Sequence, residues 1–286
     1  MRILFFMMTL LVLSLNLEAK SLFSNAEQAD SSKYIANLKD LLIATQKTRG
    51  LTNSYLNGNT ETLLLIYNTR SDMKKAISKM ESTTLAADPV INSRASSISK
   101  ALIKLNAKAF KKKAPEVFSA YTEQIEEILM LAQTVSQRTA KALNDFGKET
   151  SNVMMETMLP LTEQVGRLRG YGAGVAARKV ATKSDIEKVY ALANEVKRLN
   201  ATLTEQMNQL TSRYSGKLPS SINSEVVAID KAVKSYTYLA EKKLLKHPET
   251  VDSDDYFEKG THLINLIIKA YNTCNSAMLE DSKGWF

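Results

Sequence analysis

Four of the chain's ten glycines, Gly166, Gly170, Gly172 and Gly174, lie in one short segment, EQVGRLRGYGAGVAA, that otherwise reads as helix. Inside a helix each glycine costs about 1 kcal/mol relative to alanine, so close packing has to offset it. Gly166, Gly170 and Gly174 follow i, i+4, i+8 spacing and form a smooth helix-packing stripe that admits another backbone. Met154, Met158, Leu161, Val165, Leu168 and Val175 fall on a nearly opposite arc, counting about 100° per residue. A helix buried on two faces has to be central to the fold. Between the faces stand Arg167 and Arg169, about 200° apart on the same count, so they cannot share one environment. Arg167 lies one turn after Glu163 and can pair with it, whereas Arg169, on the flank of the apolar arc, has no such local partner.

The rest of the chain is patterned to surround such a helix. Only five prolines and 7% aromatic residues in 286 suit long helices better than sheets. Periodicity and breakers predict a first helix over about 33–56, ended by Asn57-Gly58-Asn59, and a second from Thr60 as N-cap to about 81. A third follows Asp88-Pro89, a fourth opens at Pro115-Glu116, and the fifth, about 149–180, contains Pro160, which either kinks it or marks a restart. Helices six to eight start near Ser184-Asp185, Pro219-Ser220 and Ser253-Asp254. The expectation is an all-α bundle of eight long antiparallel helices joined by short loops.

The N-terminus sets an address. Met1-Arg2 precedes an apolar run from Ile3 to Leu17 and then Glu18-Ala19-Lys20. The run is short for a membrane span and suits a signal peptide over 1–19, with 20–32 as a flexible segment; an uncleaved anchor is the alternative. The expected location is periplasmic or secreted. The net charge of +8 there favours an acidic surface or small anion as partner, with no nucleic acid.

Chemistry-bearing motifs are sparse. Cys274, the single cysteine, falls in a helical apolar pattern and reads as a small buried hydrophobe. His247 and His262 lack metal-ligand spacing, and no nucleophile, phosphate-loop or dinucleotide motif appears. The expectation is a protein that is not an enzyme, with no catalytic residues, metal or cofactor.

Arg49 is the second unusual cation. Ile35, Leu38, Leu42, Thr45, Arg49, Thr52 and Leu56 alternate steps of three and four, which puts Arg49 on the apolar seam of the first helix. Near neutral pH a guanidinium stays charged and needs an anion. Its helical neighbours Gln46, Thr52 and Asn53 are polar without being acidic, so the anion is either a carboxylate from another helix or a ligand held between arginines of two helices.

The segments QKTRGLTNSYLNGN and EQVGRLRGYGAGVAA resemble the signature segments of the nitrate- and nitrite-sensing (NIT) domain family. The closing YFEKGTHLINLIIKAYNTCNSAMLE resembles that family's last helix, with its aromatic pair, threonine and apolar run. The resemblance implies a sensor domain over 33–282, two four-helix bundles, and arginines that hold the anion: Arg49 from the first motif, Arg167 and Arg169 from the second. With Thr52, Asn53 and Gln46, these are the candidate ligand-binding residues. The first motif has Thr48 where some members carry a second charge.

The functional expectation is thus a sensor of nitrate or nitrite outside the cytoplasm. It would signal through a membrane protein such as a histidine kinase or chemoreceptor, with a homodimer among the options. The alternative is an adaptor bundle whose arginines are paired internally.

Overall fold

The computed structural model describes the backbone of residues 2–283 and the side chains of residues 29–282. Helices α1 (Arg2–Leu56), α2 (Leu63–Glu81), α3 (Pro89–Lys108) and α4 (Ala114–Thr139) form one bundle. Helices α5 (Asp145–Val153), α6 (Leu159–Arg178), α7 (Lys183–Arg213), α8 (Ser221–Tyr238) and α9 (Ser253–Lys283) form the other. Because α5 and α6 are one continuous rod, each bundle has four members. They meet along α1 and α6: α1 packs on α2, α4 and α6, while α6 packs on α1, α7 and α9. Buried apolar side chains run without interruption through both bundles.

Local chemistry explains the boundaries. Gly58 adopts φ 114° in the Asn57-Gly58-Asn59 turn, a conformation that side-chain-bearing residues rarely tolerate. Asp88 caps α3 by accepting from Val90 N and Ile91 N ahead of Pro89. Thr60 does not cap α2; it begins a single 3-10 turn, Thr60–Thr62, before the α-helix starts. The cap of α7 is Thr182, two residues ahead of the expected start, in a reciprocal capping box with Asp185.

Helix continues without a break through Pro160, so Pro160 does not mark a restart. The turn before it, Met154–Met158, widens into a π-helix, and Leu159 N–H bonds to Met154 O, five residues back. The wider turn accommodates a residue that has no N–H to give.

The N-terminal expectations fare differently. Helix α1 begins well before residue 33, and at residues 30 and 31 it is already packed: Asp30 Oδ2 accepts from Leu85 N at 2.6 Å, and Ser31 is buried. The side chains of residues 1–19, the expected leader, lie outside the described residues. Among the described residues no helix is long and apolar enough to cross a membrane.

The glycine stripe packs inside the chain, against α1. A methyl group built on Gly170 would lie 2.9 Å from Gly50 Cα, and one on Gly166 would lie 3.1 Å from the Gln46 amide carbon. Gly174 faces Asn53, whose Nδ2 donates to Gly170 O at 2.9 Å. The smooth face is therefore used up at the α1–α6 crossing.

Candidate functional site

The crossing delivers both Arg-Gly dipeptides to the centre of the molecule. Arg49 and Arg169 are 0% exposed, the two largest fully buried side chains described. Each is held in the same manner by the outer helix of its own bundle. Arg49 lies over the Phe118 ring of α4, 4.8 Å from its centroid, and its Nη1 donates to Thr122 Oγ1 at 2.9 Å. Arg169 lies over the Phe257 ring of α9 at 4.3 Å, and its Nη1 donates to Thr261 Oγ1 at 2.8 Å. Phenylalanine and threonine are four residues apart in both helices, so each pair presents one ring and one hydroxyl to its arginine. The contacts also exchange as under a local two-fold: a side chain on Gly50 would meet Phe257, and one on Gly170 would meet Phe118.

The two half-sites differ in charge. Arg49 donates Nη1 and Nη2 to the Glu163 carboxylate at 2.6 and 3.2 Å. Of the two anions left open for Arg49, the structure supplies the carboxylate from another helix: it comes from α6, 114 positions along the chain, while the seam of α1 around Arg49 is itself without acid. Glu163 is itself buried, and it also accepts from Gln46 Nε2 at 2.9 Å and Arg167 Nε at 2.8 Å. Arg167 reaches outward to Glu126 as well and is only partly buried. The i, i+4 pair expected for Arg167 thus forms, but its carboxylate is shared.

Arg169 has no such partner. No carboxylate among the described residues forms an ion pair with it, and its Nε and Nη2, the side-on fork of the guanidinium, are buried without a hydrogen-bond acceptor. Burial pushes its pKa down to about 10, and the positive charge of Arg49 adds to the push; Tyr236, exposed Glu258 and Glu163 pull the other way without offsetting it. Gly260 makes the position possible, because a methyl group there would lie 2.8 Å from Arg169 Cβ and Cγ.

Among the other expected site residues, Gln46 serves Glu163 through its amide nitrogen while its Oε1 has no donor, and Thr52 Oγ1 is buried without a partner. Asn53 ties α1 to α6. A cleft of about 420 Å³ opens alongside, lined by Asn53, Phe118, Thr122 and Arg167, with Arg178, paired with Asp185, and exposed Lys188 at its edge. Cys274 is buried as expected, and burial pushes its thiol pKa up to about 12.

Sequence reasoning did not single out Glu163 as partner of Arg49, nor Phe118, Thr122, Phe257 and Thr261 as the arginines' supports. The repeated Phe-x-x-x-Thr spacing was the available signal.

Fold and site together define an all-helical module whose centre is a pair of buried guanidinium groups, Arg49 paired with the Glu163 carboxylate and Arg169 paired with no carboxylate among the described residues. Residues 40–279 match the family model described as nitrate and nitrite sensing, and the chain belongs to that family. A solved structure, that of the NasR transcription antiterminator, is similar with TM-score 0.68 at 11% identity, covering 96% of this chain and 75% of that one. At that identity the likeness shows the fold. No curated protein matches the chain.

Proposed function

We propose that this sensory module binds one nitrate or nitrite ion on Arg169, at the α1–α6 crossing, with Arg49 as the second cationic wall. The observation that carries this reading is the free Nε/Nη2 fork of Arg169, fully buried and without a carboxylate. An uncompensated charge in the interior costs several kcal/mol, and a planar anion with two oxygens aligned to the fork offsets that cost. Thr261 and Phe257 hold the guanidinium plane, so the fork is oriented before the ligand arrives. The Gly50–Gly170 contact is the pivot: an anion drawing Arg169 toward Arg49 favours one crossing of α1 and α6 over another by its difference in affinity for the two.

The extracytoplasmic address and a membrane receptor as signalling partner belong to the same proposal. They rest on the apolar run 3–17 followed by Ala19 and on the basic charge. The mass of the protein recovered from the periplasm tests the cleavage after Ala19; an intact mass there, or recovery only with the cytoplasm, counts against it.

A second reading, an adaptor bundle with internally paired arginines, is favoured by the Arg49–Glu163 and Arg167–Glu126 pairs. Thermal unfolding in nitrate, nitrite and chloride at equal ionic strength separates the two. The sensor is stabilised by nitrate or nitrite beyond chloride and loses that response in Arg169→Met; the adaptor shows no difference between the salts.

A further inference from the structure

Three buried charges determine what the crossing can accept. Arg49 and Arg169 are fully buried and Glu163 nearly so, which leaves the cluster at a formal +1. The remaining charges nearby balance outside it, since Arg167 spans from Glu163 to the exposed carboxylate of Glu126. Glu163 also takes both terminal nitrogens of Arg49, so one guanidinium is occupied by a carboxylate belonging to the protein and the other is open.

We propose that Glu163 sets the valence and number of the ligand: by occupying Arg49 it admits one monovalent anion per chain and excludes a divalent oxyanion of similar size. A monoanion brings the cluster to neutrality. A dianion would leave a net negative charge away from water, with the Glu163 carboxylate as its nearest like charge. Shape contributes little to this discrimination, because a tetrahedral dianion can offer the same fork two oxygens. Charge is the discriminating quantity, and Glu163 is the residue that carries it. The inference rests on the anion reading above.

Calorimetric titration of the full chain with sodium nitrate and with sodium sulfate tests it, for the unaltered protein, Glu163→Gln, and the double substitution Arg49→Gln/Glu163→Gln. The unaltered protein should bind nitrate at one per chain and prefer it to sulfate. Glu163→Gln raises the cluster to +2 and should move the preference toward sulfate by about tenfold or more. The double substitution returns the cluster to +1 and should restore the preference for nitrate over sulfate, with weaker affinity for both ions because the second cationic wall, Arg49, is gone. It also removes both members of the pair, so it gives a result even where Glu163→Gln does not fold unaided. Nitrate binding by the unaltered protein with an unchanged nitrate-to-sulfate ratio in Glu163→Gln, or a sulfate preference in the double substitution, overturns the role of Glu163 while leaving the anion site standing. An unaltered protein that binds neither ion overturns both.

Discussion

Gly50 and Gly170 touch backbone to backbone where α1 crosses α6, and the arginine preceding each is carried into the interior by that contact. The ring supporting Arg169, Phe257, fills the space beside Gly50, while Phe118 under Arg49 fills the space beside Gly170. Helix packing and cation placement are therefore one feature: moving the helices apart by a methyl group also moves both guanidinium groups.

Gly170→Ala tests this coupling. In an unconstrained helix the change would stabilise by about 1 kcal/mol. Here the new methyl group would sit 2.9 Å from Gly50 Cα and 3.2 Å from the Phe118 ring. The expected outcome is a net loss of about 1–3 kcal/mol in chemical denaturation, with anion binding weakened as well.

The two buried arginines should respond oppositely to removal when no nitrate or nitrite is present. Arg49→Met leaves Glu163 buried with Arg167 and Gln46 as its remaining donors, and should cost about 3–5 kcal/mol. Arg169→Met removes a cation with no carboxylate partner among the described residues and should leave stability unchanged or raise it by about 1–4 kcal/mol. Urea denaturation of the two variants in chloride buffer measures the difference.

This asymmetry marks how far the sequence could be read. Steps of three and four placed Arg49 on a buried seam, and glycine spacing identified the central helix, because periodicity reports directly which face is covered. Asp88-Pro89 and Asn57-Gly58 act locally and were legible for that reason. Glu163 was assigned to Arg167 from its i, i+4 spacing; its stronger engagement with Arg49 depends on how α1 crosses α6, which no local pattern specifies. The π turn before Pro160 was equally hidden, since a proline in a helix can be accommodated in several ways.

Thr261→Val removes the hydrogen bond that Arg169 makes among the described residues while nearly preserving volume. A hydrogen bond to a charged group contributes about 1.5–3 kcal/mol, so affinity for nitrate or nitrite should fall about tenfold or more. The fold should remain helical by circular dichroism. Undiminished affinity would mean that Thr261 does not position the fork.

Anion binding should also follow the protonation of Arg169. Its pKa is depressed to about 10 from an ordinary value of 12.5, so the folded protein releases this proton at lower pH than the unfolded chain does. The sign follows: between those values the unfolded state holds more protons, and deprotonation relieves a destabilising buried charge as pH rises. Ligand affinity runs the other way. It should be level from about pH 7 to about pH 9 and fall as pH passes about 10, with proton uptake accompanying binding in that upper range.

Calorimetric titration of the purified protein with nitrate and nitrite against a chloride background, repeated on Arg169→Met, bears most directly on the unpaired Nε/Nη2 fork of Arg169 at the crossing. Saturable heat at one site per chain for at least one of the two ions, absent in the variant, is the predicted result. No heat above chloride, or undiminished binding in Arg169→Met, would contradict the assignment of Arg169 as the residue that receives the anion.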